Sequence, residues 1–130
     1  MVAVARGEQL TSAERTELDR AIRAAEQTSR AEFSVFIGHA GEEPRAHAQL
    51  LHGSLTAPAR SVLILVDPAA HALEVVTGSD VRRRVTDQQV DLAILAMSAA
   101  FADGDLVDGL RRGLSMLAEA ARPQRTLHAH

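Results

Sequence analysis

Three carboxylates, Asp67, Asp103 and Asp105, have the types and placement in this 130-residue sequence that could do chemistry together. Carboxylate oxygens are hard ligands, so a site shared by the three suits Ca²⁺ or Mg²⁺ better than zinc. Such an ion neutralises phosphate charge and lowers the pKa of a bound water, which is metal-assisted hydrolysis of a phosphate ester. Glu42, Glu43, His39 and His71 are expected at the same end of the molecule. Each acid also has a simpler structural use. Asp67 precedes Pro68 in a turn, where its side chain can accept from nearby backbone N–H groups. Asp105 suits a helix start. The run Asp103-Gly104-Asp105-Leu106-Val107-Asp108 departs from the Ca²⁺-loop pattern, because its third acid falls one position late and Gly109 follows it.

Other candidates are weaker. Asp87 falls in the first turn of a predicted helix, where it complements the dipole. Arg82-Arg83-Arg84 could hold a phosphate against Gly78 and the following helix start. Three consecutive side chains fan out, however, so a solvated charge run is the simpler account. His47 and His52 are five residues apart and diverge by about 140° on a helix, which is not metal-ligand spacing. Ser34, Ser54 and Ser61 lack a nucleophile-elbow context, and there is no Gly-rich phosphate loop. The absence of Cys excludes thiol catalysis, disulfides and Cys-ligated metal. A net charge of -3, no Tyr or Trp and only three Phe give no footing for nucleic-acid recognition.

The element that must position the acids is Ser61–Gly78. Val62 to Val66 is an unbroken apolar run, which suits a strand buried on both faces. Asp67-Pro68-Ala69-Ala70 reads as a turn, and Leu73–Thr77 as the returning arm of a hairpin. Thr11 and Glu14 form a capping box before a helix striped by Leu18, Ala21, Ile22 and Ala25. Glu32–Gly38 is a strand, and Pro44 opens a helix striped by Ala48, Leu51 and Leu55. Strand, helix, strand in this order makes a right-handed crossover with parallel strands. Thr86 and Gln89 form a second capping box, starting a helix striped by Val90, Ala93, Ile94, Met97 and Phe101. Leu106, Leu110, Gly113, Leu114 and Leu117 line the last helix, in which Gly109 and Gly113 predict a close backbone approach.

These elements predict one α/β domain over residues 1–130, with loose ends at about 1–10 and 122–130. Its small mixed sheet has three or four strands: a central parallel pair plus the antiparallel hairpin arm, sandwiched between helices. The parallel strands finish at His39 and Asp67, and the helix from Asp87 would carry Asp103 and Asp105 back to that end over roughly 24 Å. Asp80 and Asp87 fall at the opposite end, so Asp87 and Asp105 should not share an ion. The opening residues MVAVARGEQL lack the apolar core of a signal peptide, and no stretch approaches the ~18 apolar residues of a membrane helix. The expectation is a soluble, cytoplasmic protein without membrane insertion, with a monomer as the default.

The second half resembles the TPM domain, a family named for chloroplast, photosystem and nematode membrane proteins. The matching positions are Gly78, Val85-Thr86-Asp87, Phe101, Gly104-Asp105 and Gly109-Leu110. The first half matches in element order only. The whole chain looks closest to a related actinobacterial family of unknown function. The resemblance implies an α/β sandwich, Ca²⁺ or other divalent-ion binding in some members, weak acid phosphatase activity in a plant member, and assembly or receptor-accessory roles in others. Here Asp80 stands where the family often has a second glycine, and Leu106 where it has an aromatic. The reading preferred is a non-catalytic interaction or regulatory module with a protein partner and a divalent-cation site. The alternative is a metal-dependent acid phosphatase of low activity.

Overall fold

The computed structural model describes residues 1–4 and 10–124. Strand β3 (Ser61–Asp67) is buried at all seven residues and occupies an interior lane. It lies between β2 (Glu32–Ile37) and β4 (Ala72–Thr77) in a four-stranded sheet ordered β1-β2-β3-β4. β2 runs parallel to β3, with Phe33 opposite Val62 and Ile37 opposite Val66. β4 returns antiparallel, with Val62 opposite Thr77 and Asp67 opposite Ala72. The fold is thus the predicted mixed α/β sheet.

One expectation is corrected. Residues 2–4, placed in a loose start, form the edge strand β1 (Val2–Val4), parallel to β2 with Val2 opposite Val35. Three residues carry too little periodicity to announce a strand. Parallel pairing across thirty-odd residues leaves no local turn signal either. The Met1 amino group donates to the Phe33 carbonyl at 2.7 Å and fixes this edge. The remainder of the expected loose start, residues 5–9, and residues 125–130 of the tail lie outside the described residues.

The alternation of β3 sends its side chains into two cores. Val62, Ile64 and Val66 join Phe33, Val35 and Ile37 beneath α1 (Ser12–Ser29), α3 (Asp87–Ala102) and α4 (Leu106–Ala120). Leu63 and Leu65 join Val76 and Phe36 beneath α2 (Pro44–Gly53), the one described α-helix packed on that face. Both capping boxes form, Thr11 with Glu14 and Thr86 with Gln89. The close approach expected of Gly109 and Gly113 is present. A Cβ at Gly109 would lie 2.6 Å from Phe101 Cε1, and one at Gly113 would overlap the Met97 side chain. These glycines let α3 and α4 lie against each other. No described helix is long and apolar enough to cross a membrane.

Candidate functional site

Asp67 ends β3 and is 3% exposed. Its Oδ2 accepts from the Ala40 N–H at 2.9 Å, and its Oδ1 from the Ala70 N–H at 3.2 Å. The Ala40 hydrogen bond holds the carboxyl below its ordinary pKa. Desolvation opposes this, and the Ala70 bond and the His39 charge assist it. The carboxylate therefore closes the β3–β4 turn and pins the loop after β2. His71 sits in that turn, exposed and in a left-handed conformation at φ 54°.

Asp103 and Asp105 lie in the α3–α4 turn, and both are exposed. Asp105 takes the position before α4, but its side chain makes no capping bond. Gly104 between them has φ +77° with open space around it, so the turn conformation accounts for the glycine. Among the described residues, no three His, Cys, Asp or Glu side chains are placed to hold one metal ion. Asp67, Asp103 and Asp105 do not form such a group. The oxygens of Asp67 face backbone amides, and the other two acids sit on a turn between helices.

The remaining motif positions have packing roles. A Cβ at Gly78 would overlap the backbone carbonyls of Pro58 and Ala59. Asp87 is the exposed first residue of α3, beside a cap that Thr86 and Gln89 already complete. The three consecutive arginines part company. Arg82 donates to the Thr77 carbonyl, and Arg84 Nε to the Ala121 carbonyl at 2.8 Å, which ties the end of α4. Of the three, only the Arg83 side chain has no hydrogen-bond or ion-pair partner among the described residues. The run does not form an anion clamp.

The outer surface of the helices is where the sequence reading stopped short. A groove of about 1140 Å³ runs between α1 and α4. Ala21, Ala24 and Ala118 make an apolar floor, and Met116 and Ala96 lie along its far side. The α4 rim is neutralised by ion pairs. Asp108 bonds both Arg111 and Arg112, and Arg111 also reaches Glu17 at 3.6 Å. Partial burial works against ionising Asp108, but the two arginines hold its carboxyl below the ordinary value. On the α1 rim, Arg20 is exposed and lacks an ion-pair partner among the described residues, as does Arg23 one turn on, just outside the groove. Beyond Met116, α3 is apolar on its outside as well, with Leu92 50% and Leu95 66% exposed. The signal was in the sequence. Apart from Asp87, Gln88, Gln89, Asp91 and Ser98, every residue of α3 is apolar, and one core stripe does not use them all.

A family model described as "Domain of unknown function (DUF5130)" matches residues 4–118. An uncharacterised protein of Mycobacterium tuberculosis, in strains CDC 1551 and H37Rv, is 34% identical over 106 residues, which is 82% of this chain. The chain spans 64% of the length of those relatives. The fold is shared with the BA42 protein of Bizionia argentinensis. Its TM-score is 0.79 at 23% identity, over 90% of this chain and 84% of that one. The N-terminal domain of the cg2496 protein of Corynebacterium glutamicum gives a TM-score of 0.76 at 17% identity, over 99% of this chain and 87% of that one.

Proposed function

The chain belongs to the DUF5130 family, and from that premise we propose that it is a non-catalytic interaction module that binds a protein segment along its helices. The observation that carries this reading is the groove between α1 and α4, with an apolar floor and the unpaired Arg20 on its α1 rim, Arg23 lying one turn on beside it. At about 1140 Å³ it is long and open rather than a closed small-molecule pocket. An amphipathic helix laid in such a groove buries its apolar face against Ala21, Ala24 and Ala118. Arg20 and Arg23 would then favour acidic residues along one side of that helix. The resemblance to the TPM domain, whose members include assembly factors, supports the same reading. The same resemblance includes ion-binding and phosphatase members, but here the Asp67 oxygens accept from the Ala40 and Ala70 amides, which weighs against those two readings.

The test uses a designed amphipathic peptide with leucines on one face and glutamates beside them. Titrated into labelled chain, it should shift the amides of Ala21, Ala24 and Met116. Arg20→Glu combined with Arg23→Glu should weaken binding at least tenfold. Peptide that shifts no groove amide, or binds the double variant equally well, overturns the proposal. Turnover of an aryl phosphate that needs Mg²⁺ and is lost in Asp67→Asn would overturn its non-catalytic part.

A further inference from the structure

A second docking surface lies on α3, and we infer that its occupant is a second copy of this chain. Leu92 and Leu95 stand 50% and 66% exposed, with Met116 of α4 at 38% beside the helix. Ala96 is half-buried next to Leu95, and Ala99 is exposed one turn on. At 3.6 residues per turn these α3 residues form one stripe along the outside of the helix. A contiguous apolar stripe left open to water, unlike the isolated Leu50 on α2, marks an association site.

The order of side-chain sizes selects the occupant. Turned end for end about a two-fold axis between Leu95 and Ala96, the stripe meets itself with large opposite small. Leu95 then faces Ala96 of the second copy, and Leu92 faces its Ala99. The alanines let the helices come close, and the leucines fill the space beside them. This is the self-complementary contact a two-fold dimer requires. A parallel arrangement would set leucine against leucine and Asp103 against Asp103.

Charge agrees with the antiparallel choice. Gln88 falls opposite Asp103 of the second copy and can donate to its carboxylate. Arg83, exposed and unpaired among the described residues, arrives at the helix end that carries Asp103 and Asp105, both exposed. The positive end of each α3 dipole also meets those acids. Asp91 and Asp87 lie roughly 90° and 130° around the helix from the centre line of the stripe, with Asp91 about 40° from Leu95 on its flank. One helix per copy buries less than the ~1,200–2,000 Å² of a standard stable interface, so the dimer should depend on concentration with a micromolar or weaker Kd.

Sedimentation equilibrium of the whole chain tests this. A reversible monomer–dimer equilibrium is expected. Leu95→Glu, which sets two carboxylates near the axis, should raise Kd at least tenfold, whereas Leu50→Glu on α2 leaves it unchanged. Because the chain has no cysteine, Ala96→Cys adds a geometric readout. Mild oxidation should link it into a covalent dimer much faster than Leu50→Cys. A chain that stays monomeric up to millimolar concentration overturns the inference. So does a dimer indifferent to Leu95→Glu, or one whose Ala96→Cys variant links no faster than Leu50→Cys. Ala96 and Met116 border both surfaces, so the peptide-groove test is kept distinguishable by reading it at Arg20, Ala21 and Ala24 of α1, which the α3 seam does not use.

Discussion

α3 and α4 are neighbours joined by a three-residue turn, yet their outer faces differ in kind. α4 buries Leu110, Leu114 and Leu117 and turns Arg111, Arg112 and Glu119 outward. Those charges are neutralised within the helix and just beyond it, through Asp108 and Arg122. α3 buries Ala93, Met97 and Ala100 but turns Leu92, Leu95 and Ala99 outward. Both helices cover the same sheet face and meet the same solvent. Folding of one chain therefore explains most of α4, Met116 apart, and explains only half of α3. The lesson is to look for function where apolar groups are left over. At the carboxyl end of β3 the buried carboxylate is used up, since Asp67 satisfies Ala40 and Ala70.

The contrast predicts that substitutions in the packed parts cost stability and leave association alone, with the reverse on the outside of α3. The largest stability effect should come from Gly78→Ala, whose Cβ meets backbone carbonyls that cannot swing aside. A loss of more than about 3 kcal/mol is expected, read from the urea midpoint. Gly113→Ala should cost less, about 1–3 kcal/mol, because its obstacle is the flexible Met97 side chain. If Gly113→Ala were neutral, the close contact of α3 with α4 would be in doubt.

Asp67→Ala removes the acceptor of a fully buried amide, that of Ala40, and should also cost about 1–3 kcal/mol. Its pH dependence sharpens the point. The folded carboxyl has a lowered pKa, so its contribution is complete above the ordinary carboxylate range and fades as pH falls through the folded value. The melting gap between the native chain and Asp67→Ala should therefore narrow on acidification below about pH 4. A gap that widens would contradict the hydrogen bonding described. The smallest stability effect belongs to Leu92→Gln, within about 0.5 kcal/mol, together with weakened self-association. A large loss of stability there would mean that α3's outer face serves the single chain after all.

Much of this architecture was legible in the residues. The run from Val62 to Val66 announced an interior strand, and both capping boxes announced helix starts. Gly109 and Gly113 announced the close contact of α3 and α4. Local patterns carry such information because caps and turns act over a few residues. The rest depended on distance in space. β1 is three residues paired across a long loop. Arg84 finds its partner at Ala121, which no local spacing reveals. The expectation that Asp67, Asp103 and Asp105 share one end of the sheet rested on topology alone. Topology fixes which end an element reaches, not where its carboxylate turns. The outer stripe of α3 was readable but competed with a cleaner inner stripe, and one helix can carry two.

Amide chemical shifts recorded over a dilution series test the central claim most directly, because they locate association residue by residue. On concentration, Leu92, Leu95, Ala96 and Ala99 should move together while His39, Asp67 and His71 stay fixed. Shifts gathered around Asp67 with the α3 stripe silent would contradict the account.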